Sequence, residues 1–145
     1  MTAIQSSAAV AGVPPEPRPG GALAAVLAVV IEDDGMVRAA VCAYLEELGC
    51  EVLAAASAEA ALALCRSLPR HPRLMICDYG LPGGANGLQV IASTRRHLGC
   101  DVAAYLMTGM ACPDVLRSSR EIGVPVIHKP VSPSQLQSIV ERARG

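Results

Sequence analysis

The chain has no tryptophan, no phenylalanine and only three tyrosines among 145 residues, Tyr44, Tyr79 and Tyr105. With so few aromatic faces, platforms for stacking nucleic-acid bases are not expected, and the core has to be built from Ala, Val, Leu and Ile. An excess of charge of one sign is also missing. Twelve basic and thirteen acidic residues leave a net charge of −1, so no field draws the chain to nucleic acid or to an anionic membrane surface. The apolar run from Gly21 to Ile31 falls short of the ~20 residues a bilayer span requires. Arg18 in front of that run gives it the look of a signal peptide, but it ends in Glu32-Asp33-Asp34 without a small-residue cleavage site, and no other segment could take its place as a strand. The six cysteines form no C-x-x-C pair and lie in apolar segments, which reads as reduced core thiols and a cytoplasmic location. His71, His97 and His128 share no ligand spacing, so zinc and histidine chemistry are not expected.

With 52% hydrophobic and 17% charged residues, the chain suits one folded domain. Residues 1–21, which hold Pro14, Pro15, Pro17 and Pro19 and show no apolar periodicity, read as a disordered tail or linker, and the domain is expected over 22–145. From there apolar runs alternate with helical spacings. Val26 to Ile31 precedes a helix that Gly49 stops, Glu51 to Ala55 precedes one over Ser57 to Leu68, and Leu74 to Cys77 precedes Leu88 to Leu98. Val102 to Met107 is followed by Pro113 to Ile122. Val124 to Ile127 is followed by a helix opening at the capping box Ser132-Pro133-Ser134-Gln135. Five βα units with unbroken apolar strands imply a doubly wound α/β fold, a parallel sheet with helices on both faces, whose reactive groups gather at the carboxyl ends of the strands.

Those ends carry Glu32-Asp33-Asp34, Asp78, Thr108 and Lys129-Pro130. Asp34 directly precedes a helix and reads as its N-cap. Glu32 and Asp33 with Asp78 offer oxygen ligands only, which suits a hard divalent cation, Mg²⁺ before others, and the carbonyl of Gly80 is close enough in sequence to reach the same ion. An Asp beside such a cation can accept a phosphoryl group, with a Lys ammonium and a Thr hydroxyl facing its oxygens. Lys129 is the one Lys in a chain that uses Arg eleven times, which marks its compact ammonium as a specific choice. The loop Gly80-Leu81-Pro82-Gly83-Gly84 has neither the G-x-G-x-x-G order nor a P-loop Lys, and reads as a connection.

In V-V-I-E-D-D (29–34), M-I-C-D-Y-G-L-P-G (75–83), N-G-L (86–88), M-T-G-M (107–110) and V-I-H-K-P-V (126–131), the chain resembles the receiver domain of two-component response regulators, over about residues 24–144. It is most similar to receivers at the C-terminus of hybrid sensor histidine kinases or to stand-alone receivers. The resemblance implies a flavodoxin-like, three-layer αβα fold with a five-stranded parallel sheet in order 2-1-3-4-5. It also implies Asp78 as phosphoacceptor, Glu32, Asp33, Asp78 and the Gly80 carbonyl as Mg²⁺ ligands, Thr108 as switch hydroxyl and Lys129 as phosphate-binding cation. A cis Lys129-Pro130 bond is implied as well. The implied phosphodonor is a phosphohistidine on a sensor histidine kinase or a histidine phosphotransfer protein, and the output is a separate protein partner. Gly80 and Met110 would flank the path of hydrolytic water. The chain departs from the family at Val126, where many receivers place a Tyr or Phe.

The expected function is therefore a phosphoaccepting signalling domain that catalyses only its own phosphoryl transfer and dephosphorylation. A Mg²⁺-dependent phosphatase working through an aspartyl phosphate would use the same groups, but it usually shows D-x-D and a cap, whereas Asp78 is followed by Tyr79 and Gly80. A phosphorylation-independent interaction module on the same fold is the third reading.

Overall fold

The structure is a computed structural model that describes residues 3–4, 25–99, 102–110 and 112–145. Its strands are β1 (Ala3–Ile4), β2 (Leu27–Ile31), β3 (Glu51–Ala55), β4 (Leu74–Asp78), β5 (Ala103–Thr108) and β6 (Val126–His128). Its helices are α1 (Gly35–Glu47), α2 (Ala58–Cys65), α3 (Gly87–Leu98), α4 (Pro113–Glu121) and α5 (Pro133–Arg144). The five strands read from the sequence pair in parallel in the order β3-β2-β4-β5-β6, which is the expected 2-1-3-4-5. A further two-residue strand, β1, pairs antiparallel with β3 at the outer edge. It falls in the segment read as a tail; the remainder of residues 1–21 lies outside the described residues.

Strand alternation sorts the core into two layers. Ala28, Val30, Leu74, Ile76 and Met107 face one cluster with Leu45 of α1 and Leu136 and Val140 of α5. Leu27, Val29, Ile31, Met75 and Leu106 face the other with Leu64 of α2, Leu88 and Ile91 of α3 and Val115 of α4. Because both faces are covered, every residue of β2 and β4 is buried, which explains why these strands read as unbroken apolar runs.

The helix starts follow the sequence signals. Asp34 Oδ1 accepts from the Met36 and Val37 amides at 2.9 and 3.1 Å, Ser57 caps α2 through the Ala60 amide, and Ser132 and Gln135 close a reciprocal capping box ahead of Pro133. Gly49 takes φ 90° just past α1, a left-handed conformation that favours glycine. Helix α2 stops at Cys65 rather than at the expected Leu68, because Pro69 disfavours helical backbone at the residue before it. Strand β6 begins at Val126 rather than Val124, since Pro125 has no N–H to donate to a ladder. Cys42, Cys50, Cys65 and Cys77 are buried free thiols as expected, whereas Cys112 is exposed ahead of α4, and Cys100 lies outside the described residues. Burial raises the Cys42 thiol to about 11, helped by the nearby Glu46 charge.

Gly87 is where the fold touches the strand ends most tightly. Its amide donates to Tyr79 O at 2.9 Å, closing the loop that follows β4. A Cβ at this position would press into the Asp78 backbone carbonyl and come within 2.8 Å of Leu106 Cδ1. Only glycine lets α3 begin this close to β4. Gly87→Ala is expected to lower stability by about 1–3 kcal/mol through overpacking, read as a shift in the denaturant midpoint.

Candidate functional site

The parallel register brings the chemistry-bearing residues to one rim. Ile31 pairs with Cys77, so the next residues, Glu32 and Asp78, stand side by side, and Thr108 pairs with His128, which puts Lys129 just beyond. Lys129 N–H donates to Thr108 O at 2.9 Å, and the Lys129-Pro130 bond is cis. From this position the Lys129 ammonium reaches across the sheet to Glu32 Oε1 at 2.7 Å and Asp78 Oδ1 at 2.6 Å.

Glu32 is 1% exposed and Asp78 6%, so both carboxylates sit largely out of water, while Asp33 is exposed beside them. Burial pushes the Glu32 carboxyl above its ordinary value; the Lys129 ammonium and the Asp34 amide act against the rise, and the Asp78 charge adds to it. For Lys129 burial works toward a lower value, but the contacts with Asp78 and Glu32 prevail and its pKa is raised, so the ammonium stays charged. Cys77, behind Asp78, is not a rival nucleophile: burial and the Asp78 and Glu32 charges push its thiol far up.

Thr108 is 5% exposed and closes the wall. Its hydroxyl donates to Met110 O at 2.9 Å and accepts from Met110 N at 3.1 Å, so it is turned to its own loop and not to the carboxylates. A Cβ on Gly80 would lie 3.8 Å from Asp78 Oδ2, which places this glycine beside the Asp78 oxygen that Lys129 does not hold. Met110 is 79% exposed. The structure thus assembles Glu32, Asp33, Asp78 and Lys129, sets Gly80 at the edge, and directs the Thr108 hydroxyl elsewhere. Arg38, which the sequence reading passed over, also belongs to the site: its guanidinium donates to Glu32 O at 2.8 Å. Its signal was a cation in the first turns of α1, where the helix dipole disfavours one.

Ligand oxygens of Glu32, Asp33 and Asp78 lie within 4.8 Å of one another. Three carboxylates against one ammonium leave two negative charges in a mostly buried space, and Glu32 Oε1 meets only Lys129 among the described residues. An all-oxygen set with that charge fits a hard divalent cation such as Mg²⁺. Mg²⁺ at about 100 times its dissociation constant should therefore stabilise the fold by about 2.7 kcal/mol, seen as a rise in Tm that Glu32→Gln largely abolishes. Because the Glu32 pKa is raised, protons compete with the cation at a higher pH than at an exposed Glu. The stabilisation should fade as pH falls toward the Glu32 pKa, starting from a higher pH than an exposed Glu would give.

No helix among the described residues is long and apolar enough to cross a membrane. Residues 28–141 match the response regulator receiver domain family. The chain is 33% identical over 123 residues to the sensor histidine kinase AruS of Pseudomonas aeruginosa, a match that takes in 82% of this chain and 12% of that kinase, so the chain spans only a small part of its length. Among solved structures it resembles a CheY-like receiver domain protein from Methanospirillum hungatei, with 25% identity, TM-score 0.72, and 83% of this chain and 95% of that one covered. The Vibrio cholerae chemotaxis protein CheY4 shares the fold at 21% identity and TM-score 0.73, with 83% and 99% covered. With the sheet order, the rim of carboxylates and the match over most of its length in agreement, the chain belongs to the response regulator receiver domain family of two-component systems.

Proposed function

We propose that the chain accepts a phosphoryl group on Asp78 from a phosphohistidine of a sensor histidine kinase or a histidine phosphotransfer protein, and passes the signal to a separate protein partner in the cytoplasm. The receiver domain runs over residues 22–145, with 1–21 as a tail or linker. The chain turns over no external substrate; it promotes only its own phosphorylation and dephosphorylation. The observation that carries this reading is the state of the Asp78 carboxylate, with Oδ1 on the Lys129 ammonium at 2.6 Å and Oδ2 on the side that Gly80 leaves without a side chain.

Glu32, Asp33, Asp78 and the carbonyl of Gly80 would hold Mg²⁺, which when bound supplies the positive charge that lets a phosphoryl dianion approach crowded carboxylates. Lys129 anchors Asp78 and stays protonated to face a phosphoryl oxygen. Asp78 Oδ2 attacks phosphorus, the O–P bond forms as the P–N bond of phosphohistidine breaks, and the electron pair returns to the imidazole nitrogen. Thr108 can then trade its bond to Met110 O for one to the new phosphoryl group, which frees the loop after β5. Val126 offers no ring to follow that movement, so the change at this loop does not depend on an aromatic gate.

Incubation with phosphoramidate or acetyl phosphate and Mg²⁺ should add one phosphoryl mass to the wild type and none to Asp78→Asn, while circular dichroism of the two remains the same. Equal labelling of the variant would overturn the assignment of Asp78, and steady turnover of a generic phosphomonoester would favour a phosphatase instead. The acyl phosphate should persist for minutes or longer, since neither Gly80 nor Met110 can orient a water. Gly80→Asn adds an amide on a Cβ that would lie 3.8 Å from Asp78 Oδ2 and is expected to speed the decay severalfold after donor removal.

A further inference from the structure

The three carbonyls that follow β2 are all held by one residue. Arg38 Nη1 donates to Glu32 O at 2.8 Å and reaches Asp33 O at 3.5 Å, and the Arg38 backbone N–H donates to Asp34 O at 2.9 Å. The opposite side of the same loop is fixed by other groups: Glu32 N–H donates to Ala55 O at 3.0 Å, and the Asp34 amide donates to Glu32 Oε2 at 3.1 Å. Asp33 alone in this loop has a side chain that no described hydrogen bond to another residue holds in place, and it is exposed. Its direction is set by the backbone that carries it, and that backbone is held from one side by Arg38 Nη1.

The placement of Arg38 runs against local preference, which sharpens the point. α1 has no acidic residue in its first turn to pair with it, and a cation near a helix N-terminus opposes the helix dipole. Both carbonyls are reached from one nitrogen, Nη1, whose direction the planar guanidinium fixes, whereas an ammonium on a flexible stem is a point charge with freely rotating donors. Nη1 points at backbone oxygens, not at the carboxylates.

We propose that Arg38 is a positioning residue for the divalent-cation site: its guanidinium, through Nη1, pre-sets the Glu32-Asp33 backbone so that the Asp33 carboxylate faces Glu32 and Asp78 before the cation arrives. This rests on the reading of the three carboxylates as a Mg²⁺ site and adds the residue that tunes its affinity. Groups that orient metal ligands without touching the metal typically change affinity by about 10- to 100-fold when removed. Here the low end is expected, because Glu32 and Asp78 are held independently by Lys129.

The test is the dissociation constant of Mg²⁺ by calorimetry, and of Mn²⁺ by its free-ion electron paramagnetic resonance signal, for wild type, Arg38→Met, Arg38→Lys, Asp33→Asn and the double variant. All are measured at a temperature where circular dichroism shows each to be folded. Arg38→Met should weaken both ions about tenfold, and Arg38→Lys, which keeps the charge but not the planar guanidinium, should recover only part of the loss. In the Asp33→Asn background, removing Arg38 should cost much less than it does alone, because the residue acts through Asp33. Unchanged or tighter binding in Arg38→Met, full recovery by Lys, or an equal loss with and without Asp33 would each overturn the proposal. Absence of ion binding by the wild type would instead defeat the cation-site reading itself.

Discussion

The ammonium of Lys129 is the one group that touches both buried carboxylates, Glu32 at 2.7 Å and Asp78 at 2.6 Å, and the ends of three strands meet on it. Taking Glu32 and Asp78 out of water is costly, and a single compact cation is what makes their neighbourhood tolerable without a metal. One ammonium faces three carboxylates at this rim, and the Glu32 pKa is raised there, chiefly by burial, with the Asp78 charge adding to it. A site with this imbalance suits a divalent ion.

The frame around the rim works by backbone contacts more than by side-chain bridges. Gly87 lets α3 start against the Asp78 carbonyl, Arg38 gathers the carbonyls after β2, and the Lys129 amide ties β6 to Thr108. Each sets the place of a side chain at the rim through the backbone that carries it. The hydroxyl of Thr108 is the opposite case, since both of its bonds lie within its own loop and can be exchanged at little cost to the core.

Much of this was legible in the chain. The apolar runs of β2 and β4, the capping box at Ser132, the N-cap at Asp34 and the lone Lys129 all stand in local sequence, because hydrophobic period and capping chemistry depend on residues a few positions apart. The carboxylates could be named as a set because a parallel sheet brings strand ends together whatever their separation in sequence. Element ends were less legible where proline intervened, at Leu68 and at Val124, and the exposure of Cys112 was misjudged because an apolar neighbourhood in sequence does not fix which side of a loop faces water. The edge strand at Ala3–Ile4 had no periodic signal at all, since two residues cannot show a period.

By itself the sequence determined the alternation of strands and helices, the two-faced burial of the sheet and the kind of chemistry present, for these follow from residue type and short spacing. Tertiary structure alone decided which oxygen of Asp78 is held and which is left open, that Thr108 faces Met110 and not the carboxylates, and that Arg38 serves the acidic loop. Those are matters of direction and of a few tenths of an ångström. They arise when strands far apart in the chain are brought into register and each polar group must choose among partners that no local stretch of sequence contains.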